Sequence, residues 1–212
     1  MEKTQILKAL EQLNDSRKKF VQSYDLIITL KDINTKTAPV DAFVVMPHSR
    51  GKTVKICAVV GQELAEQATQ QYDKVIRESD LANYRDVKTA KKLAQDYDFF
   101  VAQITLMPQI AQVFGKSFGP RGKMPNPKAG CVVAPNANLS LVKERLQKTI
   151  HVKSKDSLAL QCIIGSEQMK TGEVADNIVA VINQVSKALP NEDQNVKNIY
   201  IKKTMSKPIK VE

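Results

Sequence analysis

The chain has 212 residues, of which 42% are hydrophobic and 5% aromatic, and it contains no Trp. This length allows one large domain or two small ones, and the composition predicts mostly aliphatic cores. The formal net charge of +10 favours a polyanionic partner, either nucleic acid or an acidic membrane, because clustered Lys and Arg release counterions when they neutralise phosphates. The sequence has no apolar run of about 18 residues and no signal-like segment near Met1, so we expect no membrane association and a cytoplasmic protein.

The two ends of the chain share one pattern. Apolar spacing in the first part predicts a helix over 2–19 and strands over 24–30 and 41–46. The last part predicts strands over 158–164 and 198–201, a helix over 173–189, and a short edge segment at 209–211. Strands and helices in these proportions are typical of an α+β layer. We therefore predict a discontinuous α+β domain of split β-α-β type, with an antiparallel sheet, over 1–49 plus 150–212.

The middle of the chain alternates strands and helices. Apolar runs at 54–60, 74–76 and 99–104 are separated and followed by helical patterns over 63–71, 79–95, 106–114 and 138–148. This alternation predicts parallel βαβ units, and so an inserted α/β domain over 50–149 with a Rossmann-like parallel sheet. Two chain crossings would join the domains, one at Pro47 to Gly51 and one near Thr149 to Val152. Two crossings suit a hinge motion.

A long Pro- and Gly-rich stretch lies inside the second predicted domain, from Lys116 to Pro135. Its prolines and glycines argue against a continuous helix or a central strand, so we predict a loop. The stretch carries four cations, Lys116, Arg121, Lys123 and Lys128, and no acid. The acid-free window extends from Phe99 to Lys143, although the chain holds 22 acidic residues. The loop therefore avoids negative charge, and long loops of this kind are either functional or disordered.

Catalytic and metal sites are poorly supported. The turn after 54–60 offers only Gly61 where nucleotide-binding folds place a glycine-rich motif, and GPRGK at 119–123 is followed by prolines and not by a helix. Cys57, Cys131 and Cys162 form no CxxC pair and are expected to be reduced thiols, and the two histidines are far apart in sequence. We expect no enzyme, no cofactor and no metal. A nucleotide-dependent enzyme and a general RNA chaperone remain as alternatives.

Basic residues cluster in three places that suit nucleic acid. They are Arg17 to Lys19, the Pro- and Gly-rich loop, and the C-terminal tail with Lys197, Lys202, Lys203, Lys207 and Lys210. The first and third clusters belong to the same predicted domain and could form one patch. Phe20 follows the first cluster and could stack on a base, although core packing is the commoner role of such a residue.

Several segments resemble a known family in the right order. They are PHSRGK at 47–52, DFFVAQITLMP at 98–108, GPRGKMPNPKAG at 119–130, KTI at 148–150, DNI at 176–178 and TMSKPIKV at 204–211. Together they resemble the stalk-protein family of the large ribosomal subunit, uL-one, in its archaeal form. The resemblance covers essentially the whole chain.

The resemblance implies a function and a set of partners. The family binds a helical junction of large-subunit rRNA in the mobile stalk near the tRNA exit site. It assists the release of deacylated tRNA, and it often represses translation of its own mRNA. By resemblance, the partners here are large-subunit rRNA, exit-site tRNA and the protein's own mRNA, and the free protein is a monomer.

The resemblance also assigns residues by position. The RNA-binding set is Lys19, Phe20, Ser23, Asp25, Lys155, Asp156, Ser157, Thr204, Met205 and Ser206. The loop residues that would face the tRNA or the hinge are Arg121, Lys123 and Lys128, and the hinge set is Pro47, His48, Ser49, Arg50, Gly51, Thr149 and Ile150. Two departures stand out: Ser49 and Ser206 occupy positions where the family usually has Gly. Because Ser adopts positive φ less readily than Gly, these two positions put the ease of hinge opening and the closeness of an RNA contact in question.

Overall fold

A computed structural model of the protein describes residues 3–13, 18–34, 39–154 and 157–211. The chain divides into two compact units, with unit 1 formed by Met1–Lys52 and Lys148–Glu212 and unit 2 by Thr53–Gln147. Unit 1 contains an antiparallel sheet and unit 2 a parallel one, which confirms the predicted fold class. The roles assigned to the two predicted domains remain predictions.

The described elements follow one another in chain order. They are α1 (Lys3–Leu13), β1 (Ser23–Leu30), β2 (Asp41–Val45), β3 (Ile56–Val60), α2 (Gln62–Gln71), β4 (Lys74–Arg77), α3 (Val87–Asp96), β5 (Phe99–Gln103), α4 (Met107–Phe118), β6 (Val132–Val133), α5 (Leu139–Gln147), β7 (Thr149–Lys153), β8 (Ala159–Ser166), α6 (Thr171–Ala188), β9 (Val196–Lys203) and β10 (Ile209–Lys210). Short 3-10 helices cover Glu78–Tyr84, Ile104–Leu106, Pro127–Ala129 and Glu192–Asn195.

The main sheet of unit 1 has the strand order β10-β9-β1-β8. Along β1 buried residues alternate with partly exposed ones, so one face of the sheet is apolar and the other is open. Helices α1 and α6 supply the apolar side chains that join the buried face, including Leu10 and Ile178. Because these helices leave the other face uncovered, Asp25 and Ile27 of β1 remain partly exposed there.

A second, two-stranded sheet in unit 1 pairs β2 with β7. The ring of His151 stacks on Phe43 with a centroid separation of 4.3 Å, and its Nε2 lies 2.6 Å from Asp41 Oδ1. Two residues of the predicted hinge set also lie in this sheet: Thr149 and Ile150 are β7 residues and pair with Val45 and Val44.

Unit 2 has a parallel sheet with the strand order β4-β3-β5-β6. Every residue of β3 is buried, as expected for a central parallel strand. The core includes three aromatic rings in contact, since Phe118 lies 4.2 Å from Phe100 and 4.6 Å from Phe114 between ring centroids.

Two predicted helices are shorter than expected. Residues 79–95 do not form one helix but a 3-10 helix followed by α3, because the Asp86 side chain accepts hydrogen bonds from Lys88 N and Thr89 Oγ1 and so starts a new helix. The helix predicted over 2–19 is described as helix only to Leu13. Residues 14–17, including Arg17, lie outside the described residues, and Lys18 and Lys19 are not helical because the chain there already turns toward β1.

The predicted loop from Lys116 to Pro135 is wrong at both ends. Helix α4 continues through Gly115 to Phe118, because Phe114 and Phe118 lie one turn apart and stack in the core. At the other end, Val132 and Val133 form β6 and pair with β5. Within the predicted loop, the irregular residues are therefore 119–131, apart from one 3-10 turn at Pro127–Ala129, and the last two residues, 134 and 135.

Candidate nucleic-acid interface

Two of the predicted RNA-binding segments meet at one edge of unit 1. Since β1 and β9 are antiparallel neighbours, the start of β1 lies beside the turn that follows β9. Thr204 N donates a hydrogen bond to Ser23 O at 3.1 Å, and Ser23 N donates one to Thr204 Oγ1 at 3.2 Å. The two hydroxyl oxygens are 3.1 Å apart. The structure thus brings together residues that are 181 positions apart.

Exposed apolar residues flank this contact in sequence. Met205 is 64% exposed, Phe20 52% and Val21 54%. Lys19 and Lys207 are exposed beside them in sequence. Exposed apolar side chains next to cations and hydroxyl groups suit a partner that offers flat bases, ribose hydroxyls and phosphates. We call Lys19, Phe20, Val21, Ser23, Thr204 and Met205 the Met205 surface.

A partly buried ion pair lies next to the Met205 surface, with a buried Lys203 and a Glu167 side chain that is 25% exposed. Lys203 Nζ donates to Glu167 Oε1 at 2.8 Å, and the Lys203 side chain is 1% exposed. The other Glu167 oxygen accepts a hydrogen bond from Gln22 N at 3.3 Å. The hydrogen bond from Lys203 is the main reason why the pKa of Glu167 is lowered from its ordinary value. The Lys203 ammonium also lies 5.6 Å from the centroid of the Tyr24 ring, within reach of a cation–π contact.

Ser206 and Ser49 do not need the conformational freedom of glycine. Ser206 Oγ accepts a hydrogen bond from Lys203 N at 2.8 Å and so closes the turn that carries Met205. Within the described residues, the non-glycine residues with positive φ are Asp32 and Glu192, so neither serine is strained. At Ser206 the hydroxyl adds a hydrogen bond that glycine could not make.

Asp25 lies farther along the open face of the sheet. It lines a cavity of about 440 Å³ together with Arg50, His151 and Lys202. Burial raises the pKa of Asp25, and Lys202 opposes this rise. Asp25 is thus an acidic group close to the cations Arg50 and Lys202. Its carboxyl group can accept a hydrogen bond from a ribose hydroxyl, whereas it would repel a phosphate.

Besides Asp25 and Ser206, three further residues of the predicted RNA-binding set are not part of the Met205 surface. Ser157 precedes β8, whose first residues pair with the Leu30 end of β1, about 20 Å from Ser23 at the usual rise per strand residue. Lys155 and Asp156 lie outside the described residues. Their contact with RNA stays a prediction.

The loop cations of unit 2 have different environments. Lys123 Nζ donates to Tyr97 O at 2.5 Å, and burial lowers the pKa of Lys123. Arg121 Nη1 donates to Ser117 O at 3.2 Å but is otherwise exposed, as is Lys128. Lys123 is thus held by the fold, whereas Arg121 and Lys128 are open to a partner.

The first predicted hinge segment is fixed to unit 1 at two points. His48 N donates to Asn177 Oδ1 at 3.0 Å. Gly51 has φ +75°, and a Cβ atom there would lie 2.5 Å from Ser166 Cβ. Ser49 is exposed between these points, and Pro47 is exposed just before the first of them.

A side chain occupies part of the place where a Rossmann-like sheet would bind a nucleotide. In this sheet the crevice at the topological switch lies between the carboxyl ends of β3 and β5. Gln103 Oε1 accepts a hydrogen bond from Gly61 N there at 2.8 Å, and so occupies the position at which the start of α2 could bind a phosphate.

Among the described residues no group of His, Cys, Asp or Glu could hold a metal ion, and no helix is long and apolar enough to cross a membrane.

Four residues of this region were not predicted to belong to the site: Val21, Gln22, Glu167 and Lys203. Val21 could have been found, because it lies between the predicted surface residues Phe20 and Ser23. Lys203 was counted only as part of a basic tail, although extending the predicted strand 198–201 by two residues would have turned it to the buried face. No sequence signal links Gln22 with Glu167.

Comparisons with known proteins agree with this structure. The model of the Ribosomal protein L1p/L10e family matches residues 8–207. A protein named large ribosomal subunit protein uL1 from Methanothermococcus thermolithotrophicus is 38% identical, with 100% of each chain covered. Proteins of the same name from Nanoarchaeum equitans and Methanocaldococcus jannaschii are 37% and 36% identical, covering 98% and 100% of this chain and 97% and 96% of their own. The chain therefore belongs to the Ribosomal protein L1p/L10e family.

Proposed function

We propose that this protein is a structural component of the large ribosomal subunit in the cytoplasm and binds a helical junction of its rRNA through the Met205 surface. Family membership supports a ribosomal protein and not an enzyme. The observation that carries the assignment to this surface is the convergence of the start of β1 and the Thr204 turn, where exposed Met205 lies beside two hydroxyl groups.

The chemistry of this surface suits structured RNA. A-form RNA hides its base edges in a deep major groove, so proteins bind it through shape, phosphates and 2′-hydroxyls, and they stack side chains on unpaired bases. Ser23 and Thr204 can exchange hydrogen bonds with ribose hydroxyls, and Lys19 can meet phosphate. Phe20 and Met205 offer apolar contact to bases that a junction leaves unstacked. A continuous duplex would offer no such bases.

Filter binding to three RNAs tests the proposal. We expect sub-micromolar affinity for an RNA that contains the stalk junction, and log affinity should fall with log salt by about 0.9 per phosphate contacted, or about 0.7 on single strands. An arbitrary hairpin of equal length should bind at least about tenfold more weakly, a difference of about 1.4 kcal/mol. Equal affinity for the hairpin would exclude specific recognition, and equal affinity for a single strand would favour a general RNA chaperone.

Charge substitutions locate the surface. Met205→Asp places an acid in the Met205 surface and should weaken junction binding by about tenfold or more, since it adds repulsion from phosphate to the loss of apolar contact. The matched control is Leu141→Asp in unit 2, because Leu141 is 63% exposed and the added charge is the same. Lys123→Ala is a second control. If either control weakens binding more than Met205→Asp does, the rRNA site lies in unit 2.

We infer that unit 2 meets tRNA. The acid-free window from Phe99 to Lys143 leaves Arg121 and Lys128 exposed without a neighbouring acid in sequence, which favours contact with a phosphate backbone. Release of deacylated tRNA from the exit site would then follow movement of unit 2 about the segments Pro47–Gly51 and Thr149–Ile150. Arg121→Glu with Lys128→Glu should slow tRNA release from assembled ribosomes and leave the affinity of the free protein for junction RNA unchanged. A loss of junction affinity would show that these cations belong to the rRNA site.

We also infer that the monomeric free protein represses translation of its own mRNA through the Met205 surface. One RNA-binding surface can serve two RNAs only if they compete. The leader of its own mRNA should therefore displace labelled junction RNA, and Met205→Asp should weaken both complexes alike. Simultaneous binding of both RNAs would contradict a shared surface, and a sedimentation coefficient above that of one chain would contradict the monomer.

A further inference from the structure

A continuous path of hydrogen bonds joins the interior of unit 1 to the exposed turn that carries Met205. Lys203 Nζ donates to Glu167 Oε1 at 2.8 Å, and Gln22 N donates to Glu167 Oε2 at 3.3 Å. The path ends at Met205 N, which donates to Gln22 Oε1 at 3.2 Å. Lys203 and Gln22 are each 1% exposed, so neither side chain can reach an RNA outside the protein.

Within the Met205 turn, this path holds the Met205 amide, whereas the neighbouring residues Thr204 and Ser206 are bonded to Ser23 and Lys203. The side chain of Met205 is exposed, so burial does not fix its position in the free protein. Its backbone amide is held instead by Gln22, whose side chain comes from a different part of the chain. The backbone of Gln22 is held in turn by one backbone hydrogen bond, in which Glu167 N donates to Gln22 O at 2.9 Å. Movement of Glu167 or Gln22 would therefore release the Met205 amide.

The path requires a carboxylate at position 167. The two Glu167 oxygens accept hydrogen bonds from different donors, Lys203 Nζ and Gln22 N. An amide in its place could accept only one of them, because its NH₂ group has no acceptor lone pair to offer. The ammonium of Lys203 is buried and needs a negative partner, so the ion pair also keeps the carboxylate in place.

We propose that Lys203, Glu167 and Gln22 are positioning residues of the RNA interface, which hold the Met205 turn in its binding conformation without touching the RNA. The RNA readout of this inference rests on the proposed function. A preformed turn raises affinity because fewer rotations are lost when the RNA binds. The sites most sensitive to substitution then include three residues that lie beneath the interface.

Amide hydrogen exchange tests the inference without RNA. Gln22→Met keeps the approximate volume of the side chain and removes the acceptor, and Glu167→Gln keeps the shape and removes the charge. Both variants should speed exchange of the Met205 amide by about tenfold or more relative to the unchanged protein. The control is the Val211 amide, which donates to Ile199 O at 2.9 Å on the other side of β9 and should keep its rate. Unchanged exchange at Met205 in both variants would overturn the proposal.

A double-mutant cycle provides the RNA readout. Gln22→Met and Met205→Ala should each weaken junction binding several-fold, and the double variant should bind about as Met205→Ala does, because Gln22 acts only through the Met205 turn. The slope of log affinity against log salt should stay the same in Gln22→Met, since Gln22 contacts no phosphate. Lys19→Ala is the contrasting variant and should reduce that slope by about 1. Independent, additive losses for Gln22→Met and Met205→Ala would overturn the positioning role.

The proposed function and the positioning role can be contradicted separately. If the unchanged protein does not prefer junction RNA, the proposed function fails, and hydrogen exchange at Met205 still decides whether the path positions the turn. If the protein binds the junction and Met205→Asp weakens it, but Gln22→Met changes neither exchange nor affinity, only the positioning role is wrong.

Discussion

Asn177 ties the first predicted hinge segment to helix α6. Its Oδ1 accepts a hydrogen bond from His48 N at 3.0 Å, and its Nδ2 donates one to Ile164 O at 2.9 Å. The side chain is fully buried between the two partners. One amide thus fixes both the segment that leaves unit 1 and the end of β8. This arrangement needs a side chain with both a donor and an acceptor, which Asp and Leu do not provide.

Asn177→Leu should lower the free energy of unfolding of unit 1 by about 1–3 kcal/mol, because it leaves Ile164 O and His48 N without this partner. Urea unfolding followed by circular dichroism measures the change. The matched control is Asp176→Asn, one position earlier on α6, where the exposed ion pair with Lys3 should contribute less than about 1 kcal/mol. A larger loss in the control would mean that the surface charge, and not the buried amide, holds this region.

Gly51→Ala should destabilise unit 1 by about 1–3 kcal/mol, because φ there is +75° and the new Cβ would lie 2.5 Å from Ser166 Cβ. Gly172→Ala is the control, since a Cβ at this α6 position meets no atom within 4 Å and alanine favours the helix. Its effect should range from neutral to a gain of up to about 1 kcal/mol. Equal unfolding midpoints for the two variants would contradict the close approach of Gly51 to Ser166.

The ion pair of Glu167 predicts a pH dependence of stability. The folded pKa of Glu167 is lowered from its ordinary value of 4.5, mainly by the hydrogen bond from Lys203. A lowered folded pKa means that the contribution is fully present above the unfolded pKa and is lost as the pH falls through the folded pKa. The difference in unfolding free energy between the unchanged protein and Glu167→Gln should therefore be constant near neutral pH and shrink in the acid range. A difference that stayed constant down to about pH 2 would show that the charge of Glu167 does not contribute.

Cys57 and Cys131 should not react with a thiol reagent in the folded protein. Burial raises the pKa of Cys57 to about 12 and that of Cys131 to about 11, so the reactive thiolate is scarce at neutral pH. Labelling with a chromogenic disulfide should be slow in buffer and complete in denaturant. The variant Cys162→Ser removes the remaining, partly buried thiol and makes the readout specific to these two. Rapid labelling of this variant in buffer would mean that their surroundings open readily.

Local sequence patterns determined much of the architecture. The continuous apolar run of β3 predicts a fully buried strand, as observed, whereas β1 has its buried residues at every second position and leaves the apolar Ile27 partly exposed. These patterns depend only on the geometry of a single strand. The segment Thr204 to Val211, which resembles the family, likewise predicted that Thr204 and Met205 of the Met205 surface bind RNA. Family membership is therefore readable from the sequence, whereas the mechanism of the surface is not.

Local rules failed where tertiary contacts outweighed them. Gly115 argued for a loop, yet α4 continues past it because the Phe114 and Phe118 rings both belong to the unit 2 core. Val132 and Val133 favour a strand, but the nearby prolines indicated a loop. In the structure these two residues pair with β5 and form β6. The secondary-structure propensity of one residue contributes only a small free energy, and a few buried aromatic contacts contribute more.

The sequence by itself determined most of the strands and helices, and the family to which the chain belongs. Only the tertiary structure decided that Gln22, Glu167 and Met205 meet. Gln22 lies 145 residues from Glu167 and 183 residues from Met205. Their contact depends on the register of β1 against β8 and β9, including the irregularity between Tyr24 and Asp25. Because a slip of one residue would turn every side chain of a strand to the other face, the register, and not the composition of any segment, sets the interface.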